Sequence, residues 1–327
     1  MERENSIDIA KGFAIILMMV GHCYSVQNTL WILIYGFHMP FFFIVSGIIY
    51  GKKMKINREF NAMKKLRKLL VPYFLSEILL AVFISALNHP DGFIKMLFGQ
   101  MITIGSLQGM HATWFLPCMA AATISFLLFW RYKPQVAFAF AAGCMLIGLA
   151  AAIPDGYGVV ICRTMVAIGF FAIGFISADC ALNKANPYII VFALVAYIVL
   201  TCYNGLVSLV SDEFHHRGLY VLNSLLGTWI TLQGASMLSD HRYGRLVKKF
   251  LIVFGKNTMV VLCTHVFFIE IIRLFDYKVC GSMLPKLGIM EGIVFAAILC
   301  ILEAATIAVW TKYRKSNAIG KKIVQTC

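Results

Sequence analysis

The stretch Ile7–Tyr24, which reads IDIAKGFAIILMMVGHCY, is apolar except for three ionisable residues, Asp8, Lys11 and His22. Such residues are costly inside a membrane-spanning helix unless they face a protein interior or a wet cavity. At about 100° per residue, Lys11 and His22 share one helix face, roughly 16 Å apart along the axis. Asp8 lies within about 60° of Lys11 by the same periodicity. The stretch therefore predicts a membrane helix with one polar face.

Composition places the chain among polytopic membrane proteins. Of its 327 residues, 60% are hydrophobic and only 13% are charged, and the mean hydropathy is +0.81. Soluble proteins are about half apolar, so these values exclude a soluble fold. The formal net charge of +14 is compatible with nucleic-acid binding, but the basic residues cluster in short loops and accompany no nucleic-acid-binding motif. We therefore expect no nucleic-acid partner.

Runs of about 20 apolar residues predict ten membrane-spanning helices. The predicted spans cover residues 7–27, 30–50, 69–88, 112–130, 135–153, 159–179, 188–210, 218–238, 250–275 and 289–311. When the N-terminus is placed inside, Lys and Arg concentrate in the loops on that side, as they do in cytoplasmic loops. We predict an all-α integral membrane bundle of about ten transmembrane helices, with both termini in the cytoplasm.

The cysteines and the exposed histidines predict no metal centre. Most of the ten cysteines lie in apolar runs and no two form a CxxC pair, so we interpret them as small hydrophobic residues. His215 and His216 stand beside Asp212 and Glu213, a set that is compatible with a metal site. No second cluster supports that reading, so we favour a solvated loop and expect no metal cofactor.

The depths of the polar residues suggest a two-ended site. His22 and His38 are predicted near the outer ends of their spans, whereas Asp8, Lys11 and the basic loop 52–68 lie at the inner side. A coenzyme A thioester fits this arrangement, because its phosphates would bind the inner cations and its long arm would reach His22 along a polar track. There a neutral imidazole would act as general base toward an acceptor hydroxyl.

Six segments, in chain order, are similar to the signatures of the integral-membrane acyltransferase-3 family. They are the Lys11-to-His22 spacing; Phe37-His38-Met39-Pro40 with Ser46-Gly47; Lys64, Arg67 and Pro72-Tyr73; His111-Ala112-Thr113-Trp114-Phe115-Leu116; Arg163-Thr164 with Phe170-Phe171 and Gly174; and Gly255, Asn257-Thr258 and His265. The fifth resembles the branch related to fucose 4-O-acetylases. Together they cover nearly the whole chain. Lys11 stands where many members carry Arg, so a bidentate contact is lost there.

The resemblance implies transfer of an acyl group, usually acetyl from acetyl-CoA, to a hydroxyl of a carbohydrate or other cell-envelope molecule. It implies that His22 is catalytic, and we predict that His38 orients His22 or the acceptor. For His38 the alternative is a hydrogen bond to a neighbouring helix. The predicted donor-binding residues are Asp8, Lys11, Lys64 and Arg67. For the basic loop the alternative is binding of anionic lipid headgroups.

Three further residues are predicted to bind the acceptor: Trp114, Arg163 and His265. Each has an alternative reading. Trp114 is compatible with the aromatic belt at a membrane interface, Arg163 with an ion pair to Asp155, and His265 with a structural role. The phenylalanine runs are interpreted as packing surface.

The predicted protein is a single membrane acyltransferase domain, residues 1–327, in the plasma membrane (the inner membrane of a bacterium). Its expected partners are acyl-CoA, a hydroxyl-bearing glycan or small-molecule acceptor, and membrane lipids; a homo-oligomer is an open alternative. A secondary transporter is the rival function, because intramembrane His, Asp, Lys and Arg also mark solute pathways. The sequence shows no inverted repeat, so we rank the transporter lower. A sensor or membrane anchor derived from such an enzyme is a third possibility.

Overall fold

A computed structural model describes residues 2–23, 29–56, 61–88, 112–151, 157–209, 213–240, 244–281 and 289–326. Nearly all of this part is helical, as expected where the membrane leaves backbone groups to be satisfied within each segment. The helices are α1 (Glu2–Cys23), α2 (Thr29–Tyr35), α3 (His38–Ile56), α4 (Ala62–Asn88), α5 (Phe115–Tyr132), α6 (Pro134–Ala150), α7 (Tyr157–Ile176), α8 (Pro187–Asn204), α9 (Arg217–Asp240), α10 (Arg245–Lys256), α11 (Thr258–Val279) and α12 (Ile289–Thr326).

Two short features interrupt the helical pattern. A single 3₁₀ turn, Ala112–Trp114, leads into α5. Two two-residue strands, β1 (Val207–Ser208) and β2 (Glu213–Phe214), pair antiparallel between α8 and α9. The rest of the described chain packs helix on helix.

Seven helical segments of the described chain are long and apolar enough to cross a membrane. They are Asn5–Cys23, Thr29–Met54, Phe115–Tyr132, Gly158–Ile176, Pro187–Asn204, Thr258–Val279 and Met290–Ser316, and α6 is a shorter apolar helix. The helical membrane fold predicted from the sequence is therefore confirmed. The predicted spans 69–88 and 218–238 correspond to α4 and α9, which are not among the seven. Since α9 buries several polar side chains inside the bundle, it can tolerate a lower apolarity.

The predicted second span is broken in the middle. A turn at Gly36–Phe37 separates α2 from α3. Pro40 explains the break, because its ring clashes with the carbonyl group four residues earlier, that of Gly36, in a continuous helix. Regular bonding resumes where the Phe41 amide donates to the Phe37 carbonyl over 2.9 Å. The break places His38 at the first turn of α3.

The predicted ninth span, 250–275, is wrong as a single helix. The backbone leaves the helical conformation at Asn257, with φ −116° and ψ 23°, and separates α10 from α11. Helix α10 is amphipathic, with Arg245, Lys249 and Lys256 on one face, and it buries Leu251 on another. The spanning segment begins only at Thr258.

Glycines set the closest helix contacts. A Cβ atom added at Gly174 of α7 would lie 1.9 Å from the Ile44 carbonyl oxygen of α3, and one at Gly47 would lie 2.1 Å from that of Phe171. The pair α1 and α10 meets in the same way, since a Cβ at Gly255 would lie 1.8 Å from the Asp8 carbonyl oxygen. Small residues let backbones approach where packing drives helix association.

Helix α1 lies at the centre of the bundle. It packs against α2, α3, α9, α10, α11 and α12. This arrangement surrounds the polar residues of α1 with protein on several sides. Ionisable residues in an apolar membrane helix need such an environment.

Candidate active site

Three histidines from three different helices converge through ring contacts. The rings of His22, at the end of α1, and His265, in α11, have centroids 5.3 Å apart. Tyr35 of α2 bridges to the third, with its ring 6.3 Å from that of His22 and 4.6 Å from that of His38. We call His22, His38, His265 and Tyr35 the histidine cluster. The sequence predicted its three histidines for one site, and the structure brings them together.

Backbone contacts define which nitrogen is available in two of these rings. The His38 Nδ1 lies 2.9 Å from the Ile34 carbonyl oxygen, and the His265 Nδ1 lies 2.9 Å from that of Val261. A carbonyl oxygen only accepts, so each Nδ1 carries the proton and donates. The neutral rings therefore keep a lone pair on Nε2. That of His265 is buried and has no hydrogen-bond partner among the described residues.

Tyr35 was missed by sequence reasoning. Its ring stacks on Trp31 one turn earlier, with centroids 3.7 Å apart. Tyr35 stands three residues before His38, and this spacing places two side chains side by side on a continuous helix. The turn at Gly36–Phe37 interrupts the helix between them, yet the two rings are in contact.

The helix face that joins Lys11 to His22 is apolar between them. Ile15 and Met18 occupy this face, and both are buried. They line a small cavity of about 60 Å³. The lining residues are Ile15, Met18, Met39, Phe42, Leu69, Phe115, Leu116, Thr258, Met259 and Leu262. The expected polar track is therefore wrong in its polarity, since the described residues on this face enclose a small, largely apolar cavity.

Three helix faces meet at this cavity. On α1 it lies between Lys11 and His22. On α11, Leu262 lines it one turn before His265, and on α4, Leu69 lines it one turn after Lys65. Methionine side chains from three helices supply flexible walls, because an unbranched thioether adapts its shape easily. The cavity thus lies between the cationic ends of α1 and α4 and the histidine cluster.

A larger groove lies on the other side of α1. Its volume is about 450 Å³, and it is lined on α1 by Ile9, Phe13 and Leu17. These residues lie roughly 160° around the helix from the Lys11–His22 face. No histidine of the cluster lines this groove or the smaller cavity. The smaller cavity is the one that lies on the Lys11–His22 face of α1.

The predicted donor residues divide into two environments. The Lys11 Nζ lies 2.7 Å from the Asp8 carboxylate, and both side chains are largely buried. Lys64 and Arg67 are exposed on the first turns of α4. The Lys64 backbone amide is capped by the Asn61 side chain over 2.9 Å. The structure therefore couples Asp8 with Lys11 and leaves the side chains of Lys64 and Arg67 open to solvent.

Arg163 and Trp114, both predicted to bind the acceptor, contact each other. The guanidinium carbon of Arg163 lies 4.7 Å from the centre of the Trp114 ring, a cation–π geometry. Both residues are buried, so the alternative of Trp114 as an exposed interfacial aromatic is wrong. Asp155, the alternative partner of Arg163, and His111 of the same motif lie outside the described residues.

Glu77 of α4 is linked to the segment that carries Trp114 and was missed by sequence reasoning. It is buried and accepts a hydrogen bond from the Thr113 hydroxyl, next to Trp114. Its second carboxylate oxygen and the Tyr73 hydroxyl are buried without a hydrogen-bond partner among the described residues. A lone acid in an apolar segment is a functional signal, so the sequence offered a means of finding it.

Another buried carboxylate lies beside the histidine cluster. Glu303 of α12 accepts from the Thr264 hydroxyl through both oxygens, at 2.8 and 2.9 Å. Thr264 directly precedes His265 in α11. This contact joins α11 to α12 and holds the helix that carries His265. No role was assigned to Glu303 from the sequence.

A comparison with known protein families identifies the family of the chain. A family whose sequence model is described as an acyltransferase domain matches residues 4–311. The chain belongs to the acyltransferase-3 family. No curated protein and no solved structure matches it. The match of this acyltransferase-3 protein includes every residue of the histidine cluster and of the Arg163–Trp114 pair. The protein is therefore a multi-pass membrane acyltransferase.

Among the described residues, no group of three or more His, Cys, Asp or Glu side chains is arranged to hold a metal ion. His215 and His216 are both exposed. Their rings have centroids 4.6 Å apart. Asp212 lies outside the described residues.

Proposed function

We propose that this protein is an O-acyltransferase that moves an acetyl group from cytoplasmic acetyl-CoA to a hydroxyl of a carbohydrate or other cell-envelope acceptor. Within the family we assign it to the branch related to fucose 4-O-acetylases. The main support is the histidine cluster, which lies on the face of α1 that also carries Lys11, with a small apolar cavity between them. We propose that the thioester arm opens this cavity into a passage and that the cluster supplies the base that the hydroxyl needs.

The proposed donor enters from the cytoplasmic ends of α1 and α4. Lys11, held by Asp8, and the basic residues of α4 attract the negatively charged nucleotide. The pantetheine arm then lies along Ile15 and Met18, where the apolar, methionine-lined walls yield to admit it. The acyl group reaches His22, roughly 16 Å from Lys11.

In the proposed reaction, His22 carries one proton from the acceptor hydroxyl to the coenzyme A sulfur. A nitrogen lone pair of His22 takes the proton from the acceptor hydroxyl. The hydroxyl oxygen attacks the thioester carbonyl carbon, forming the C–O bond as the C–S bond breaks. The coenzyme A sulfur leaves as thiolate and takes the proton from the imidazolium. His22 returns to its neutral form, and none of these steps requires a metal ion.

His265 acts in this proposal as a positioning residue for His22. Its lone pair on Nε2 faces a buried space, and its ring lies 5.3 Å from that of His22. A small rotation would let a His22 N–H donate to it, which orients the other nitrogen of His22 toward the acceptor. This revises the sequence-based role of His265 from acceptor binding to orientation of the base. The His38 ring contacts the Tyr35 ring, and we propose that this contact holds Tyr35 beside His22.

His265→Leu should lower kcat by about tenfold to a hundredfold and leave the KM for acetyl-CoA nearly unchanged, since the loss is in the orientation of the base. Initial rates of acetyl transfer by purified protein measure both constants. His265→Gln is the conservative variant, because its amide oxygen can accept the same hydrogen bond, and it should keep more of the rate than His265→Leu. If His265→Leu keeps the full rate, or His265→Gln loses as much as His265→Leu, the positioning role is wrong.

The acceptor is proposed to bind near Trp114 and Arg163. An aromatic ring, a guanidinium group and the carboxylate of Glu77 together suit a hydroxyl-rich ligand, because sugars offer both donors and acceptors. The 3₁₀ turn that carries Trp114 contacts α11, which also carries His265.

The proposed topology has ten membrane spans with both termini in the cytoplasm, and the proposed location is the plasma membrane, which in a bacterium is the inner membrane. This orientation puts the cations of α4 on the side where acetyl-CoA is found. The direct test of the function is mass spectrometry of envelope glycans from cells with and without the protein. Loss of an acetyl increment from one glycan supports the proposal, and identical spectra contradict it.

A further inference from the structure

The larger groove beside α1 faces the apolar part of the membrane. Phe13, which lines it, lies in the middle of a membrane-spanning segment and is 45% exposed. Leu194 and Ile198 of α8 also line it and are exposed within another such segment. Lipid chains therefore have access to a groove of about 450 Å³ that reaches the central helix of the bundle.

The lining of the groove selects an apolar occupant. Two of the lining side chains carry a hydroxyl group, and both hydroxyls already donate to a backbone carbonyl oxygen. Thr231 donates to Gly227 over 2.7 Å, and Tyr197 donates to Leu33. The other lining residues are Gly, Ala, Leu, Ile and Phe. A sugar or a nucleotide would lose its hydrogen bonds to water here without replacement, which is costly, whereas a hydrocarbon chain would lose none.

A lysine lies at the end of the groove near the first half of α1. The Lys248 Nζ donates to the Ser239 carbonyl oxygen over 2.9 Å, and Leu238, the residue before Ser239, lines the groove. Leu251, one turn after Lys248 on α10, lines it as well. A Cβ atom at Gly12 of α1 would lie 2.0 Å from the Leu251 carbonyl oxygen, so α10 closes this end of the groove against α1.

The charge around α10 is strongly positive. Residues 239–256 contain five lysine or arginine residues and one acidic residue, Asp240. The Asp240 carboxylate lies 2.5 Å from the Lys184 Nζ, which offsets its charge. A cationic amphipathic helix such as α10 is typical of the membrane interface, where it attracts anionic lipids. Basic pockets between membrane helices bind anionic headgroups in the same way.

We propose that an anionic phospholipid binds at this place, with its phosphate at Lys248 and Lys249 and one acyl chain in the groove. The phosphate oxygens accept charge-assisted hydrogen bonds from the ammonium groups. The acyl chain fills a space whose side chains offer apolar contacts. In the proposed topology this lipid belongs to the cytoplasmic leaflet, and its binding does not depend on acetyl transfer.

The other end of the groove gives the bound lipid an effect on the histidine cluster. Ile34 and Phe37 line the groove there, on the two sides of the break between α2 and α3. The Ile34 carbonyl oxygen accepts from the His38 Nδ1 over 2.9 Å. The acyl chain thus packs against the turn that places His38, and it stabilises that turn.

The first test fills the groove. A Cβ at Gly234, a lining residue, meets nothing within 4 Å, so Gly234→Leu adds its side chain where the acyl chain is proposed to lie. Gly143→Leu in α6 is the matched control, because its Cβ also meets nothing within 4 Å and Gly143 does not line the groove. Full-length protein is exchanged into detergent with equal amounts of phosphatidylglycerol and phosphatidylcholine, and native mass spectrometry counts the retained lipids. We expect Gly234→Leu to lower retained phosphatidylglycerol by about tenfold, since an overfilled site is costly, and Gly143→Leu to leave it unchanged.

The second test removes the charges. Each cation near the membrane surface strengthens the attraction of anionic lipid by about fivefold. The double variant Lys248→Gln with Lys249→Gln should therefore lower the preference for phosphatidylglycerol over phosphatidylcholine by about tenfold or more. Its control is Arg131→Gln with Lys133→Gln, which removes two exposed cations where α5 meets α6 and should change the preference by less than about twofold.

The third test follows the break itself. Amide hydrogen exchange at Gly36 and Phe37 should slow when phosphatidylglycerol is added to wild-type protein in phosphatidylcholine nanodiscs, because bound lipid opposes local opening. Unchanged exchange overturns the effect on the break.

Each remaining outcome bears on one part of the proposal. Equal retention of both lipids by wild-type protein overturns the anionic headgroup, as does an equal loss of preference in the two double variants. Wild-type retention in Gly234→Leu overturns the groove as the place of the chain. A polypeptide or a second copy of the chain that is bound by wild type and lost in Gly234→Leu identifies a different occupant and overturns the lipid.

Discussion

His22→Gln should lower acetyl transfer by about 10²- to 10⁴-fold, the contribution that a positioned general base makes. Glutamine keeps the approximate size of the ring and its hydrogen-bonding capacity, but it cannot take a proton near neutral pH. The effect should appear in kcat, because the proposed site of the donor phosphates lies roughly 16 Å away at the other end of α1. The measurement is the initial rate with labelled acetyl-CoA and an envelope extract as acceptor.

The matched control is His215→Gln, the same replacement at an exposed histidine far along the chain. It should leave the rate unchanged. Size-exclusion profiles of both variants confirm that each is folded. A His22→Gln protein that is folded and transfers acetyl at the wild-type rate would contradict the assignment of His22 as base.

Gly174→Ala should destabilise the protein strongly, by about 1–3 kcal/mol or more, because overpacking a tight contact forces backbone shifts. The added Cβ would lie 1.9 Å from the Ile44 carbonyl oxygen and 2.6 Å from its carbonyl carbon. Both are backbone atoms, so no side-chain rotation relieves the clash. Helices α3 and α7 would have to separate. The midpoint of thermal unfolding in detergent measures the effect.

Gly143→Ala in α6 is the control for helix propensity. A Cβ at Gly143 meets nothing within 4 Å, and alanine is the better helix former by roughly 1 kcal/mol. Its unfolding midpoint should stay the same or rise. If Gly174→Ala unfolds at the same temperature as Gly143→Ala, the close contact of α3 and α7 is not as the structure shows it.

The three histidines of the cluster, but not Tyr35, were predictable because the motifs that carry them could be recognised in the sequence. Helical periodicity placed Lys11 and His22 on one face of α1, and the resemblance to a family supplied His265. The same periodicity also places Ile15 and Met18 between Lys11 and His22, so the apolar nature of this helix face could have been predicted from the sequence. The expectation of a polar track followed the two ends of the face and overlooked its middle.

Other features depend on how helices rotate against one another. Lys64 and Lys65 are adjacent and chemically identical, yet Lys65 is the one that lies over the ring of Tyr50 in α3, 4.7 Å from its centre, because of the way α4 is rotated about its axis. Glu77 and Tyr35 contact their partners through turns whose geometry periodicity does not describe. The break before His38 was open to prediction, since the ring of Pro40 disfavours a continuous helix through Gly36.

In the proposed reaction, a thioester supplied at one end of the bundle loses its acyl group to a hydroxyl at the histidine cluster. The most direct measurement places the purified protein in liposomes, adds acetyl-CoA labelled in the acetyl group together with envelope extract, and follows free coenzyme A thiol and label in parallel. We expect thiol release that depends on the extract, with the label recovered in it as an alkali-labile ester. Label that stays in acetyl-CoA, or crosses the membrane without thiol release, would contradict the claim.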